Sequence, residues 1–276
     1  ERAIASLSID GPHLVANAHT ALNFSMAILF FPWVGKIAEV LERAIPSGPE
    51  SVDRGKPVYL DIDHLPVAGA ALGQVAREIV RMADMIQEML DAAVEAVTRG
   101  EVSRVDRIAK ADDAVDRLTR EIKVFLSRLG EETLDSGQMR NAVAYIAIVS
   151  DLENIGDFVD KTLADHLRRL AERSQRFSEE GVGELRAFLF EVGSLYREAV
   201  SAFVTRDATA ARNVSGRRKE VTGLEQELRL AHIRRLQKGT PDSLESSAAH
   251  LDILSAWKGI AYHCASIAHS VLPLGA

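Results

Sequence analysis

Two pairs of acids carry the spacing that chemistry needs. Glu153 and Asp157 stand four residues apart in the stretch Asp151-Leu152-Glu153-Asn154-Ile155-Gly156-Asp157. On a helix that spacing puts both carboxylates on one face. Like charges so placed repel by about 0.2–0.5 kcal/mol when exposed, and by more when half-buried. A cation is the simplest answer to that repulsion. Asp112 and Asp116 repeat the spacing earlier in the chain. Carboxylate oxygens converging from two antiparallel helices can ligate a divalent metal. Asp113 and Asp160 are weaker members of the same candidate set. The competing reading is salt bridging, with arginines such as Arg81, Arg117 or Arg140 as partners. Other catalytic patterns are missing. The chain has no Ser/His/Asp nucleophile pattern, no phosphate-cradling glycine loop and no dinucleotide fingerprint. A di-metal carboxylate enzyme would need Glu-x-x-His pairs, and the glutamates of the first three helical stretches have no histidine three residues on. His263 and His269 are six apart and do not share a helix face. The chain is therefore read as a non-enzyme.

The elements that must position these acids are helices. Val75, Ile79, Met82, Ile86, Met89 or Leu90, Val94 and Val97 recur at threes and fours, and Gly100 ends the run. A second helix, from about Glu101 to Leu129, has a seam of Val105, Ile108, Val115, Ile122, Phe125 and Leu129. Asp112 falls inside that seam. A third helix runs from about Gly137 to Gln175. Its row Val143, Ile146, Ser150 continues into Glu153, Asp157 and Asp160, so an apolar row turns acidic without leaving its face. Gly156 beside it allows close approach of a neighbouring backbone. Three further helices are expected at about Ser178–Thr205, Asp207–Lys238 and Ser243–Val271. Ala96-Val97-Thr98-Arg99-Gly100 matches Phe203-Val204-Thr205-Arg206-Asp207, and Ser127-Arg128-Leu129 matches Arg234-Arg235-Leu236 at the same offset. The fold class this implies is all-α, with tandem three-helix bundles. Cys264 and the stripe of Met82, Met85 and Met89 read as core.

The front of the chain differs. Leu14 to Leu41 centres on an apolar run interrupted by Asn23, Ser25 and Pro32. Extended back through His19 and Val15 it reaches the about 20 residues that span a bilayer. That holds only if Asn17, His19 and Asn23 face protein rather than lipid. A hydrophobic transmembrane helix is thus expected ahead of the bundles. Pro46, Gly48, Pro49, Gly55 and Pro57 mark a linker. The expected organisation is residues 1–45 as a membrane-domain remnant, 46–58 as linker, and 59–276 as a helical domain with repeats at 65–176 and 178–272. The net charge of −7 excludes a general nucleic-acid binder. A single cysteine excludes an internal disulfide and a cysteine-rich zinc site.

Tyr59-Leu60-Asp61, Arg77-Glu78-Ile79-Val80-Arg81-Met82-Ala83 and Asp151-Leu152-Glu153-Asn154-Ile155-Gly156-Asp157 resemble the PhoU-like domain, over about residues 59 to 272. The resemblance implies a pair of three-helix bundles of six long helices. It also implies acidic E(D)-x-x-x-D motifs that bind iron, zinc, manganese or other divalent ions, and a role in regulating phosphate uptake. Ala16-Asn17-Ala18-His19-Thr20-Ala21-Leu22-Asn23-Phe24 with Leu29-Phe30-Phe31-Pro32 is similar to the last membrane segment of bacterial Na/Pi cotransporters. In that family a PhoU-like domain follows the transporter core. The paired transport repeats, with their Gln-Ser-Ser-Ser motifs, are missing here.

The resemblance implies a regulatory domain on the cytoplasmic side of the inner membrane. It would modulate a sodium-dependent phosphate transporter, with that transporter's membrane domain as partner, phosphate and sodium handled by a core outside this chain, and room for a homodimer. The alternative is a soluble PhoU-like regulator acting in trans on a transporter or sensor kinase. The second half departs from the family pattern. Where Asp-Leu-Lys-Arg-Ile-Asn-Ser-His is expected, the chain reads Ala256-Trp257-Lys258-Gly259-Ile260-Ala261-Tyr262-His263. Glu220 and Glu225 to Glu227 do not restore the spacing, so a metal site is expected in the first bundle alone.

Overall fold

A computed structural model describes residues 11–31, 53–100 and 104–272. They fall into two compact units, Glu1–Val52 and Asp53–Ala276. In the first unit, α1 spans Gly11–Phe30. Val15, Leu22, Phe24, Met26, Ile28, Leu29 and Phe30 on it are exposed. Its polar side chains turn back on the helix. Thr20 Oγ1 donates to the Ala16 carbonyl at 2.9 Å, Ser25 Oγ to the Ala21 carbonyl at 2.7 Å, and Asn23 lies 3.3 Å from His19 Nδ1. Among the described residues no helix is long and apolar enough to cross a membrane. The expected transmembrane helix is therefore not supported. The physical reason is dilution: Asn17, His19, Thr20, Asn23 and Ser25 interrupt the apolar run within five turns. Residues 32–41 of that expectation, and linker residues 46–52, lie outside the described residues.

The second unit holds α2 (Ala68–Arg99), α3 (Val105–Leu129), α4 (Ser136–Phe158), a π turn (Val159–Ala164), α5 (Asp165–Glu172), α6 (Glu179–Thr205), α7 (Ala208–Gln237), α8 (Pro241–Glu245) and α9 (Ser247–His269). The stops and starts follow from local chemistry. Gly100 takes the left-handed conformation at φ 65° and donates its N–H to the Ala96 carbonyl, ending α2. Asp135 and Gln138 form a capping box at the start of α4. Asp207 accepts from the N–H groups of Thr209 and Ala210 to start α7. The third predicted helix is real but not uniform, since the π turn sits between α4 and α5. Such turns insert a residue into the ladder and recur at functional sites.

α2, α3 and α4–α5 make the first bundle, and α6, α7 and α9 the second. α2 packs on α6 and α4 packs on α9, which joins the bundles. Met82, Met85 and Met89 are in the core, as is Cys264. Tyr196 on α6, fully buried, donates its hydroxyl to the Ala83 carbonyl of α2 at 2.8 Å. On α9, Gly259 admits the ring of Phe158: a Cβ there would lie 2.8 Å from it.

The unit begins at Asp53, so residues 53–58, read as linker from sequence, are held against the bundle. The fixing group is Glu78, fully buried on α2. Its carboxylate accepts from the backbone N–H of Val58, from that of Tyr59 at 2.6 Å, and from Arg81 Nε at 2.8 Å. Arg54 adds an exposed pair to Glu88 at 2.7 Å. Removing a carboxylate with three donors leaves the half-buried Arg81 Nε and two backbone N–H groups without it. Glu78→Ala should cost on the order of 3 kcal/mol in urea unfolding, whereas Glu88→Ala should cost less than about 1 kcal/mol.

Candidate metal centre

The first bundle gathers acids on facing surfaces of α3 and α4. Asp112 is buried, 4% exposed, while Asp116 and Asp157 are half-buried. One carboxylate oxygen from each of these three lies within 4.8 Å of the others. The close approach is made by Gly156. A Cβ at that position would sit 2.8 Å from Asp112 Oδ1 and 3.2 Å from Ile86 Cδ1. The sequence suggested that Gly156 admits a neighbouring backbone, and what it admits is instead side chains, the Asp112 carboxylate foremost. Asp112 Oδ1 has no hydrogen-bond partner.

The electrostatics follow from this crowding. The Asp112 carboxyl is pushed up to about 7, first by burial and then by the charges of Asp116, Asp160 and Asp157, with Lys161 opposing. Asp116 and Asp160 are also raised, chiefly by burial. Lys161, one turn after Asp157, bonds to its carboxylate and is held above the ordinary lysine range by that bond. An ammonium group thus stands at the edge of the acid cluster.

Glu153 lies apart. Its carboxylate pairs with Lys123 Nζ of α3 at 2.8 Å. Asp113 is exposed, and Asp160 lies in the π turn, 3.8 Å from Arg168. Two of the arginines considered as partners, Arg81 and Arg117, go elsewhere. Arg81 serves Glu78, and Arg117 reaches Asp53 at 3.1 Å. Glu153 and Asp157 are partnered by lysines and Asp160 by Arg168. Lys161 was readable from its i,i+4 spacing. Lys123 was not, because nothing in sequence says which turn of α3 meets α4. Asp151 was missed as well: it pairs with His263 Nδ1 of α9 at 2.8 Å and ties the bundles together.

The donor set fits a hard divalent ion. Oxygens bound at about 2.1–2.4 Å can lie up to about 4–5 Å apart across the ion. An all-carboxylate set suits magnesium, calcium, manganese or ferrous iron better than zinc, which favours nitrogen and sulfur. Asp112, Asp116 and Asp157 are the residues that would hold it. In the second bundle a buried carboxylate meets a different end. Glu225, 1% exposed, accepts from Arg229 Nε at 3.0 Å and from Lys258 Nζ at 3.3 Å. The second bundle answers its acid with side-chain cations.

The fold is thus two helical bundles in tandem, with an acid cluster in the first. The PhoU domain model matches residues 79–174 and 185–271, one match to each bundle. The chain belongs to the PhoU domain family. It is 28% identical over 266 residues to YjbB of Salmonella typhimurium, a protein named for inorganic phosphate export. The match covers 96% of this chain and 49% of YjbB, so the chain spans about half the length of that relative. It is 27% identical over 145 residues to a phosphate-specific transport system accessory protein, a PhoU homologue of Aquifex aeolicus, covering 52% of this chain and 63% of that one. The crystal structure of PhoU from Pseudomonas aeruginosa superposes with a TM-score of 0.69 at 22% identity, over 74% of this chain and 96% of that one. PhoU from Streptococcus pneumoniae gives 0.66 at 18%, over 74% and 94%. At these identities the two structures establish the fold.

The sign of the pH dependence is fixed by the raised Asp112. The native state holds its proton more tightly than the unfolded chain. Metal-free protein therefore loses stability as pH rises from about 4, the unfolded value, to about 7. Asp112→Asn removes that loss. In EDTA-treated protein it should stabilise by on the order of 2 kcal/mol at pH 8 and by far less at pH 4. Urea unfolding at the two pH values checks this. Destabilisation at pH 8 would contradict it.

Proposed function

We propose that the chain is a PhoU-like regulator of phosphate transport that works by binding a partner, a transporter or a sensor kinase. The observation that carries the reading is the coincidence of the two family matches with the two bundles. The relatives named for phosphate-specific transport and for phosphate export support it. In this reading the bundles present helical surfaces, and the acid cluster of Asp112, Asp116 and Asp157 takes a divalent cation that replaces the Lys161 ammonium. No bond is made or broken, so the protein is not an enzyme.

A second reading places the regulator in cis, as the cytoplasmic portion of a sodium-dependent phosphate transporter in the inner membrane. It is favoured by one observation: similarity to YjbB covers 96% of the chain and so extends ahead of the bundles into the segment that contains Asn17, His19 and Asn23. The exposed apolar side chains of α1 and its self-bonded polar groups support this reading. Fractionation separates the two. A reporter fused to residues 11–45 moves to membrane vesicles in the cis reading and stays in the supernatant in the trans reading.

Both readings share a test in cells. Deleting residues 53–276 in the host protein should change phosphate uptake or export, or their response to external phosphate. Identical fluxes at low and high phosphate would overturn the regulatory reading. The metal component has its own test. Titration calorimetry with Mn²⁺ should show binding to the bundle unit at pH 8. Asp116→Asn and Gly156→Ala should each weaken it by roughly tenfold, about 1.4 kcal/mol, while Lys161→Gln tightens it. Less than a tenth of an equivalent bound after supplying manganese or iron, with the protein folded, would sink the metal reading.

A further inference from the structure

A cavity of about 450 Å³ lies where α2, α4 and α6 meet, and no residue of the acid cluster lines it. Its lining has an unusual composition. Three arginines, Arg77, Arg81 and Arg206, share it with Asp84 and the rings of Tyr59, Tyr145 and Phe203. Arg81 is spent on Glu78. Arg77 and Arg206 make no ion pair among the described residues. The Arg77 guanidinium lies over the Tyr59 ring, 5.3 Å from its centre, and Arg206 reaches the Tyr145 hydroxyl at 3.4 Å. Tyr145, 5% exposed, packs edge-on against Phe203 with ring centres 6.0 Å apart. Two guanidiniums without an ion pair among the described residues thus stand at a cavity with aromatic walls.

The backbone adds an independent observation. Arg206 caps α6 in the left-handed conformation, φ 53° and ψ 36°. A side chain there is strained. The first bundle places glycine, Gly100, at the end of α2, where the same conformation costs nothing. Among the described residues one other non-glycine has positive φ, Ser174. Strain kept at a cavity rim points to a use for the side chain.

We propose that this cavity binds a nucleoside phosphate. Arg77 and Arg206 supply planar, permanently charged donors matched to phosphate oxygens. The exposed Tyr59 ring, with Arg77 over it, and the half-buried Phe203 ring supply a surface for a flat base. Asp84, exposed on α2, supplies an acceptor for ribose hydroxyls, as an acid does in dinucleotide sites. The volume lies in the range of small-molecule sites, about 300–1,000 Å³, and far exceeds the need of a bare phosphate ion. The site couples the two bundles, because its walls come from α2 and α4 of the first and α6 of the second. A ligand there would bear on the α2–α6 packing whether or not the acid cluster holds a metal.

The experiment uses the full chain in EDTA buffer, with AMP, ATP, glycerol 3-phosphate and inorganic phosphate as probes. AMP or ATP at tenfold its dissociation constant should raise the melting temperature by about 3 °C, and inorganic phosphate and glycerol 3-phosphate by much less. Arg206→Gly relieves the backbone strain, so that variant should melt at or above the wild type without ligand and yet lose the nucleotide shift. Arg77→Gln, on an exposed helix face, should lose it too. No shift with either nucleotide, or a shift that survives in both variants, overturns the proposal. An equal shift with inorganic phosphate overturns the assignment of a base-bearing ligand.

Discussion

A carboxylate taken out of water must be answered by a cation, by N–H donors or by a proton. Among the described residues this unit buries four, and the way each is answered accounts for much of its architecture. Glu78 is answered by Arg81 and two backbone N–H groups, and so docks residues 53–59 on α2. Glu225 is answered by Arg229 and Lys258, and so joins α7 to α9. Asp151 is answered by His263, across the junction of the bundles. Asp112 alone among them has an oxygen facing more acid. Its burial is permitted by the missing Cβ of Gly156.

The internal repeat makes these differences informative. Two bundles of one plan carry different answers at related places. In the first, acids converge from α3 and α4 with a lysine at the margin. In the second, the buried Glu225 is paired by Arg229 and by the half-exposed Lys258. The helix ends diverge in the same way. Gly100 takes the left-handed conformation freely, whereas Arg206 takes it at a cost and projects a guanidinium beside Tyr145. Duplication has kept the packing surfaces and released the polar positions to separate roles.

The π turn at Val159–Ala164 belongs with the acid cluster. It begins two residues after Asp157 and contains Asp160 and Lys161. The helix is wider there, and the charge of Asp160 still bears on Asp112. Of the row read from Val143 through Asp157, Val143 and Ile146 are exposed and Glu153 pairs with Lys123, and Asp157 is the member that comes within reach of Asp112 and Asp116.

Sequence by itself determined the helices, their stops at Gly100 and near Gly130, the duplication, the core seams and the burial of Asp112. Each of these depends on residues close together in the chain, where periodicity and capping act. Which acids meet was decided by tertiary structure. Glu153 shares a face with Asp157, yet the approach of α3 gives it Lys123 and leaves Asp157 beside Asp112 and Asp116. His263 could not be matched to Asp151, nor Arg77 to Arg206, because those pairs depend on how one bundle is set against the other. Periodicity specifies which face of a helix is covered. It does not specify which helix covers it, or at what height, and charge chemistry depends on both.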